Sequence, residues 1–270
     1  MVAPEPLIEN GAIRVKRTRH GVMAYNRNDV YIGRALDLYG EHTELELRML
    51  GGLIPAGGTV IDAGANIGVH SVFFAKTVGP QGRVLAFEPQ RQAFKLLSAN
   101  AALNGLTQLR CERAALGPRR GEIFVPDLDP DRESNFGGIS LNAEGSGEAV
   151  PLLRLDDFDL AACDLIKIDV EGMEREVLAG ARDTVILHAP LLYVENDRRE
   201  NSAALIELLF SPACRIYWHL PRLFNPDNFF GEARNAFGSV LSVNMLCVHR
   251  SGQAEVEGLR EIAAPEDWWR

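Results

Sequence analysis

The chain has 270 residues, 46% of them hydrophobic, and 28 Lys and Arg against 37 Asp and Glu give a formal net charge of −9. That apolar fraction supplies a substantial core, and the acidic balance argues against a nucleic-acid partner, whose phosphates call for a basic stripe. The basic stretches at 14–19 and 198–199 are too short to reverse this. In chain order, residues 1–58 read as an N-terminal cover segment. It has short strands in "AIRVKRT" and "GVMAYNR" and a helix in "HTELELRMLGGLIPAGG". In that helix Leu45, Leu47, Met49, Leu50 and Leu53 recur at near-helical spacing, Thr43 is the expected cap and Gly51-Gly52 the expected stop. From residue 59 strands and helices alternate. "TVIDAG" is a strand, "VHSVFFAKTVG" a helix, "RVLAFEP" a strand, "RQAFKLLSANAALNG" an amphipathic helix and "LRCERAALG" a third strand. This alternation predicts a right-handed parallel α/β sheet.

"GEIFVPD" reads as a strand leading into a polar excursion over the surface, "DLDPDRESNFGGISLNAEGSGEA". The alternation then resumes with strand "DLIKIDVEG", helix "MEREVLAGARDTVILH", strand "PLLYVEND", helix "SAALIELLFS" and strand "CRIYWHL". A long aromatic loop (221–238) precedes a final strand, "SVLSVNMLCVHR". The domain is thus expected over 59–250, and the tail 251–270, ending in Trp268-Trp269, is expected to dock on the body. Cysteines 111, 163, 214 and 247 make no Cys-x-x-Cys pair, which disfavours a zinc site or disulfide framework and fits a reducing compartment. With no signal-like apolar core in "MVAPEPLIENGAIRV" and no run of about 18 apolar residues, no membrane span is expected and the expected location is cytoplasmic. Oligomeric state is not legible.

"TVIDAGANIGVHS" carries the first chemical signal: a strand, an acid, then Gly64 and Gly68 at a strand-to-helix turn where backbone can approach a ligand. The dinucleotide fingerprint Gly-x-Gly-x-x-Gly fails at Asn66 and Val69, which disfavours a nicotinamide oxidoreductase, and a Walker loop's Gly-Lys-Ser/Thr is absent. Glu88 ends the next strand 20 positions after Gly68, where a carboxylate can accept hydrogen bonds from both hydroxyls of a ribose.

"VIDAGANIG", "GRVLAFEP", "LIKIDVEGMEREVLAGA" and "VEND", together with "HG", "YGEHTE" and "NFGGISL", occur in an order that resembles the FkbM-type family of S-adenosylmethionine-dependent methyltransferases. The resemblance covers roughly residues 20–210. It implies an α/β fold with the class I methyltransferase Rossmann-like sheet, seven-stranded and mostly parallel with an antiparallel last strand. By the same resemblance Asp62, Gly64, Asn66 and Gly68 line the methionine end of S-adenosylmethionine, Glu88 holds the ribose and Ala114 borders the adenine. Tyr39-Gly40-Glu41 resembles the segment that closes over the cofactor.

Methyl transfer to a hydroxyl needs an aligned acceptor and a proton acceptor. Asp169 and Glu171 in "KIDVEG" and Glu195, Asn196 and Asp197 in "VEND" bring carboxylates to neighbouring strand ends. Two readings follow. Asp169, Glu195 and Asn196 offer hard oxygen ligands for Mg²⁺; alternatively Asp169, Glu171 and Glu195 act as base or bind substrate without metal. Asp169 and Glu171 can also simply cap the following helix. Lys167 falls on the same strand face as Asp169 and is expected to pair with acids. His219 is a catalytic candidate near the loop whose Asn225 and Asn228 are candidate substrate contacts, as is Asn135 in the "SNFGGISL" segment, a candidate lid. His70 opens the helix after the glycine turn and faces either the site or solvent. The expected activity is O-methylation of a hydroxyl on a small-molecule or glycan acceptor. The alternatives are N-methylation, or a binding module without transferase activity.

Overall fold

A computed structural model describes residues 4–138, 147–250 and 256–270. The N-terminal segment opens with an antiparallel meander, β1 (Ile8–Asn10), β2 (Ile13–Thr18) and β3 (Gly21–Asn26). Helix α1 (Ile32–Tyr39) follows and was not expected. Its eight residues are too short a window to read, and its start is fixed by Asp29, whose carboxylate accepts the N–H groups of Tyr31 (2.9 Å) and Ile32 (3.2 Å). Helix α2 (Glu44–Gly51) lies where the leucine spacing put it. Thr43, however, does not cap it. Thr43 sits at φ 52° and its hydroxyl donates to the His42 carbonyl at 2.8 Å.

The central sheet uses β4 (Thr59–Ala63), β5 (Arg83–Phe87), β6 (Leu109–Glu112), β10 (Leu165–Ile168), β11 (Leu191–Glu195), β12 (Cys214–His219), β13 (Asn244–His249) and β14 (Arg260–Glu261). Its order is β14-β12-β13-β11-β10-β4-β5-β6. The strands from β11 to β6 run parallel, and β13 inserts antiparallel between β11 and β12. The sheet therefore has the α/β architecture expected, with one correction: the two-residue β14 adds an eighth strand along β12. Trp268 of the same tail meets Trp218 edge-on at 5.9 Å, so the tail packs on the core. A side sheet, β7 (Ala115–Leu116), β9 (Glu148–Leu153) and β8 (Gly121–Val125), flanks the third strand end.

Helices α3 (Val69–Val78) and α4 (Arg91–Leu103) connect the first parallel strands, and α7 (Arg199–Leu209) leads from β11 toward β12. The single helix read in "MEREVLAGARDTVILH" is two, α5 (Glu174–Gly180) and α6 (Arg182–His188). A Cβ at Gly180 would lie 2.0 Å from the Gly117 carbonyl oxygen, so the chain there packs backbone to backbone, and Ala181 (φ −113°, ψ 9°) breaks the helix. None of the helices among the described residues is long and apolar enough to cross a membrane.

Side-chain alternation gives the sheet two different faces. Ile61, Leu85, Ile166, Ile168, Leu192 and Val194 face one core; Val60, Val84, Leu165 and Leu246 face the other, against Leu50, Phe74 and Leu97 from the helices. The same period of two puts Asp62, Lys167, Asp169, Tyr193, Glu195, Asn244 and His219 all on the second face. The pairings Asp62↔Lys167, Lys167↔Tyr193, Glu195↔Asn244 and His219↔Asn244 set them side by side. A polar row thus crosses the carboxyl ends of the sheet beneath α2 and α3.

Gly68, at φ 88°, caps α3, and a Cβ there would stand 2.6 Å from Leu97 Cδ1 of α4. Gly68→Ala should therefore lower stability by about 1–3 kcal/mol through backbone strain and overpacking. A urea-unfolding midpoint equal to that of the native chain would contradict this.

Candidate active site

Lys167 is 3% exposed, and its ammonium reaches three acceptors: the Gly64 carbonyl at 2.8 Å, Asp62 Oδ1 at 3.2 Å and Asp169 Oδ2 at 3.5 Å. Burial pulls the lysine pKa down, but the two carboxylates outweigh it and the net direction is up. Asp62 also accepts the Ser71 hydroxyl at 2.6 Å. It is wholly buried and lies below the cleft rather than in it. Its carboxylate is held beneath the turn by Lys167 and Ser71.

The turn itself is held by backbone. Gly64 and Ala65 both donate to the Phe87 carbonyl at 3.0 Å, and Gly64 (φ 77°) lies so close to β10's end that a Cβ would stand 1.7 Å from the Asp169 carbonyl oxygen. Asn66 adopts φ 49°, accepts the Ile67 N–H on its own side chain and donates its backbone N–H to Glu88 Oε2 at 2.7 Å. Gln90 N–H donates to Glu88 Oε1 at 2.8 Å. Burial pushes the Glu88 carboxyl up to about 7 in spite of these donors.

These elements line one cleft of about 260 Å³. At one end stand Gly64, Asn66, Glu88, Ala114 and Phe136, at the other Asp169, Glu171 and Glu195. Asn135 also lines it, its side-chain Oδ1 accepting the N–H groups of Gly137 (3.2 Å) and Gly138 (3.0 Å). The "ISL" end of that segment lies outside the described residues. Ligand oxygens of Asp169, Glu171 and Glu195 fall within 4.8 Å of one another. Burial, then Asp169, raises Glu195 well above the ordinary carboxylate value. Glu171 is held at φ 59° and accepts Arg198 at 2.7 Å; burial and Asp169 push it up to about 7. Neither Asp169 nor Glu171 caps α5, whose first turn is tied by Glu174 accepting the Gly172 N–H.

Other residues expected at the site lie outside the cleft lining. Gly68 serves α4 packing, as above. Glu41 accepts Arg19 (2.6 Å), Asn225 (2.8 Å) and the Phe229 N–H (2.8 Å), so it ties the 221–238 loop to the N-terminal meander instead of covering a cofactor. Asn225 and Asn228 spend their side chains on Glu41 and on the loop's own backbone, which removes them as substrate contacts. Asn196 is 3% exposed and donates to Ser202 Oγ (2.9 Å) and Met245 Sδ (3.2 Å), so it is no metal ligand; Glu171 takes its place in the carboxylate cluster. His219 pairs through Nδ1 with the Tyr193 hydroxyl at 2.8 Å under the cleft, and burial lowers its pKa. It supports the row and does not reach the cleft.

His42, Glu46, His70, Ser242 and Asn244 line the cleft and were not assigned to it. His42 and Glu46 flank the start of α2, where Thr43 in the left-handed region turns the chain into the helix. His70 Nε2 lies 3.3 Å from Glu46 Oε2, so it faces the site and not solvent.

Residues 62–227, more than half of the chain, match the model of the methyltransferase FkbM domain family. The chain belongs to this family. Methyltransferase sdnD of Sordaria araneosa is 30% identical over 47% of this chain and 61% of its own. The 31-O-demethyl-FK506 methyltransferase FkbM of Streptomyces tacrolimicus is 33% identical over 47% and 60%. The crystal structure of an FkbM methyltransferase from Methylobacillus flagellatus aligns at 19% identity and a TM-score of 0.48, covering 73% of this chain and 45% of that one. The chain spans about three fifths of the length of these two curated relatives. The FkbM match takes in the glycine turn, Glu88 and the carboxylates, and leaves out His42, Glu46, Ser242 and Asn244.

In this FkbM domain Lys167 is the countercharge of two acids, one of them fully buried. Lys167→Met should cost about 3–5 kcal/mol by leaving Asp62 uncompensated. A loss under about 1 kcal/mol in urea unfolding, a scale fit for a solvated pair, would contradict that role.

Proposed function

We propose that the protein transfers a methyl group from S-adenosylmethionine to a hydroxyl of a small-molecule or glycan acceptor. The observation that carries this is the buried Glu88 carboxylate, clamped by the Asn66 and Gln90 N–H groups beside the glycine turn of an FkbM-family cleft. The residues fit the cofactor. Glu88 retains lone pairs for two ribose hydroxyls, Ala114, Leu116 and Phe136 offer an apolar wall for adenine, and Asn66 and Gly64 bring backbone to the cleft. When bound, S-adenosylmethionine supplies a methyl group on a sulfonium, a good leaving group. What remains for the chain is to align the acceptor and take its proton. Glu195, pushed up by burial, is suited to hold the proton shared with Asp169, and Asp169, steadied by Lys167, is suited to accept from the incoming hydroxyl. The name of the Streptomyces relative specifies an oxygen as acceptor atom, which supports hydroxyl over amine. The net charge of −9 favours a small acceptor over a phosphate backbone.

The three carboxylates have the chemistry to hold Mg²⁺, but Lys167 and Arg198 already balance Asp169 and Glu171, so the reading uses no metal. Magnesium titrated into protein loaded with S-adenosylhomocysteine should give no calorimetric binding at millimolar concentration; a Mg²⁺ isotherm abolished by Asp169→Asn would contradict this part.

Calorimetry with S-adenosylhomocysteine tests the cofactor. Binding should be measurable, with NADH giving none, and Glu88→Gln should weaken it about ten- to a hundred-fold. Because Glu88 titrates near 7 and its ionised form is the stronger acceptor, affinity should fall as pH drops through that value and stay flat in Glu88→Gln. NADH binding in place of S-adenosylhomocysteine would overturn the reading.

A further inference from the structure

The wall of the cleft at its Glu88 end has a cavity on each side. A second cavity of about 160 Å³ lies behind it, lined by Ile13, Ile67, Leu96 and Pro130, and Asn66, Gln90 and Phe136 border both. A cavity of about 150 Å³ accepts a benzene ring, so the space behind Phe136 is large enough for its own phenyl group. A ring with space behind it lacks the contacts that fix a core side chain. What keeps Phe136 at the cleft is therefore the hydrogen bonding of the chain that carries it.

That chain is tied at three points. The Asn26 and Asn28 side-chain amides donate to the Pro130 carbonyl at 2.8 and 3.0 Å. Ser134 donates its N–H to the Asn28 carbonyl and accepts the Val30 N–H, both at 3.1 Å. These two ties lie upstream of Phe136 and join its segment to the end of β3. The third is at Phe136 itself, whose carbonyl oxygen accepts Gln90 Nε2 at 2.8 Å.

Gln90 immediately precedes α4, where a side chain ordinarily accepts the helix's first N–H groups. Its side chain makes no such bond and spends its amide on Phe136 instead. Its backbone N–H meanwhile donates to Glu88 Oε1 at 2.8 Å. One residue thus links the Glu88 carboxylate to the apolar wall, through two separate groups.

Building on the cofactor reading, we infer that Gln90 is a positioning residue for S-adenosylmethionine: its side chain holds Phe136 at the cleft as the wall for adenine, in place of a retreat into the cavity behind. The backbone N–H serves Glu88 independently and survives replacement of the side chain.

Mutant cycles read by calorimetry with S-adenosylhomocysteine test this. Gln90→Ala should weaken binding about three-fold or more, the worth of one neutral hydrogen bond. Gln90→Met, which keeps the length of the side chain and removes the donor, should do the same, and it decides if the alanine variant does not fold. In a Phe136→Ala background the Gln90 penalty should shrink to under about two-fold, because the wall it holds is gone. In a Glu88→Gln background it should persist at about three-fold or more, because the side chain does not act through that carboxylate. A general loss of structure would not separate the two backgrounds. A smaller penalty in the native chain, a penalty of about two-fold or more without the Phe136 ring, or its loss in Glu88→Gln would overturn the assignment. Failure of S-adenosylhomocysteine to bind the native chain would instead overturn the methyltransferase reading on which it rests.

Discussion

The buried ammonium of Lys167 is the contact on which the cleft depends. It reaches the Gly64 carbonyl of the turn, Asp62 beneath it and Asp169 at its mouth, joining β4 and β10 through charge as well as through the sheet ladder. A lysine placed in a strand interior is unfavourable unless its charge is met, and here three oxygens meet it. In return the turn is held open to the cleft, with Gly64 so close to Asp169 that no side chain fits between them. The Glu88 end and the carboxylate end are thus one mechanical unit.

Around that unit the two ends differ in character. The Glu88 side is closed by backbone donors and small apolar groups. The Asp169 side is a crowded set of acids balanced by Lys167 and Arg198. Burial and crowding by Asp169 raise the Glu195 carboxyl well above its ordinary value, the general behaviour of acids sharing a site. A pair of that kind can exchange a proton with an acceptor without changing the net charge of the cleft.

The parallel sheet and the strand-end positions were legible because they follow local grammar: an apolar strand, a glycine turn, an acid at the next strand's end. Gly64, Glu88, Asp169 and Glu195 all reach the cleft for that reason. Lys167 was legible as a paired lysine from alternation alone. Asn225 and Asn228 misled because loop asparagines more often satisfy their own backbone than a ligand, and Asn196 because a strand-end amide can turn inward to a buried serine. Helix α1 was too short to register. His42, Glu46 and Asn244 were missed for a different reason. They come from the cover segment and from the antiparallel strand, and their meeting is decided by long-range packing that no short motif records.

Burial and the neighbouring Asp169 together hold the Glu195 carboxyl well above the ordinary carboxylate value. Carbon-13 NMR of the Glu195 side-chain carboxyl, followed through a pH titration, tests it most directly. Glu195 should keep its proton well above the ordinary value of 4.5. Asp169→Asn should lower that midpoint, because the charge that repels ionisation is gone. Ionisation of Glu195 in the ordinary range, unchanged by Asp169→Asn, would contradict the account.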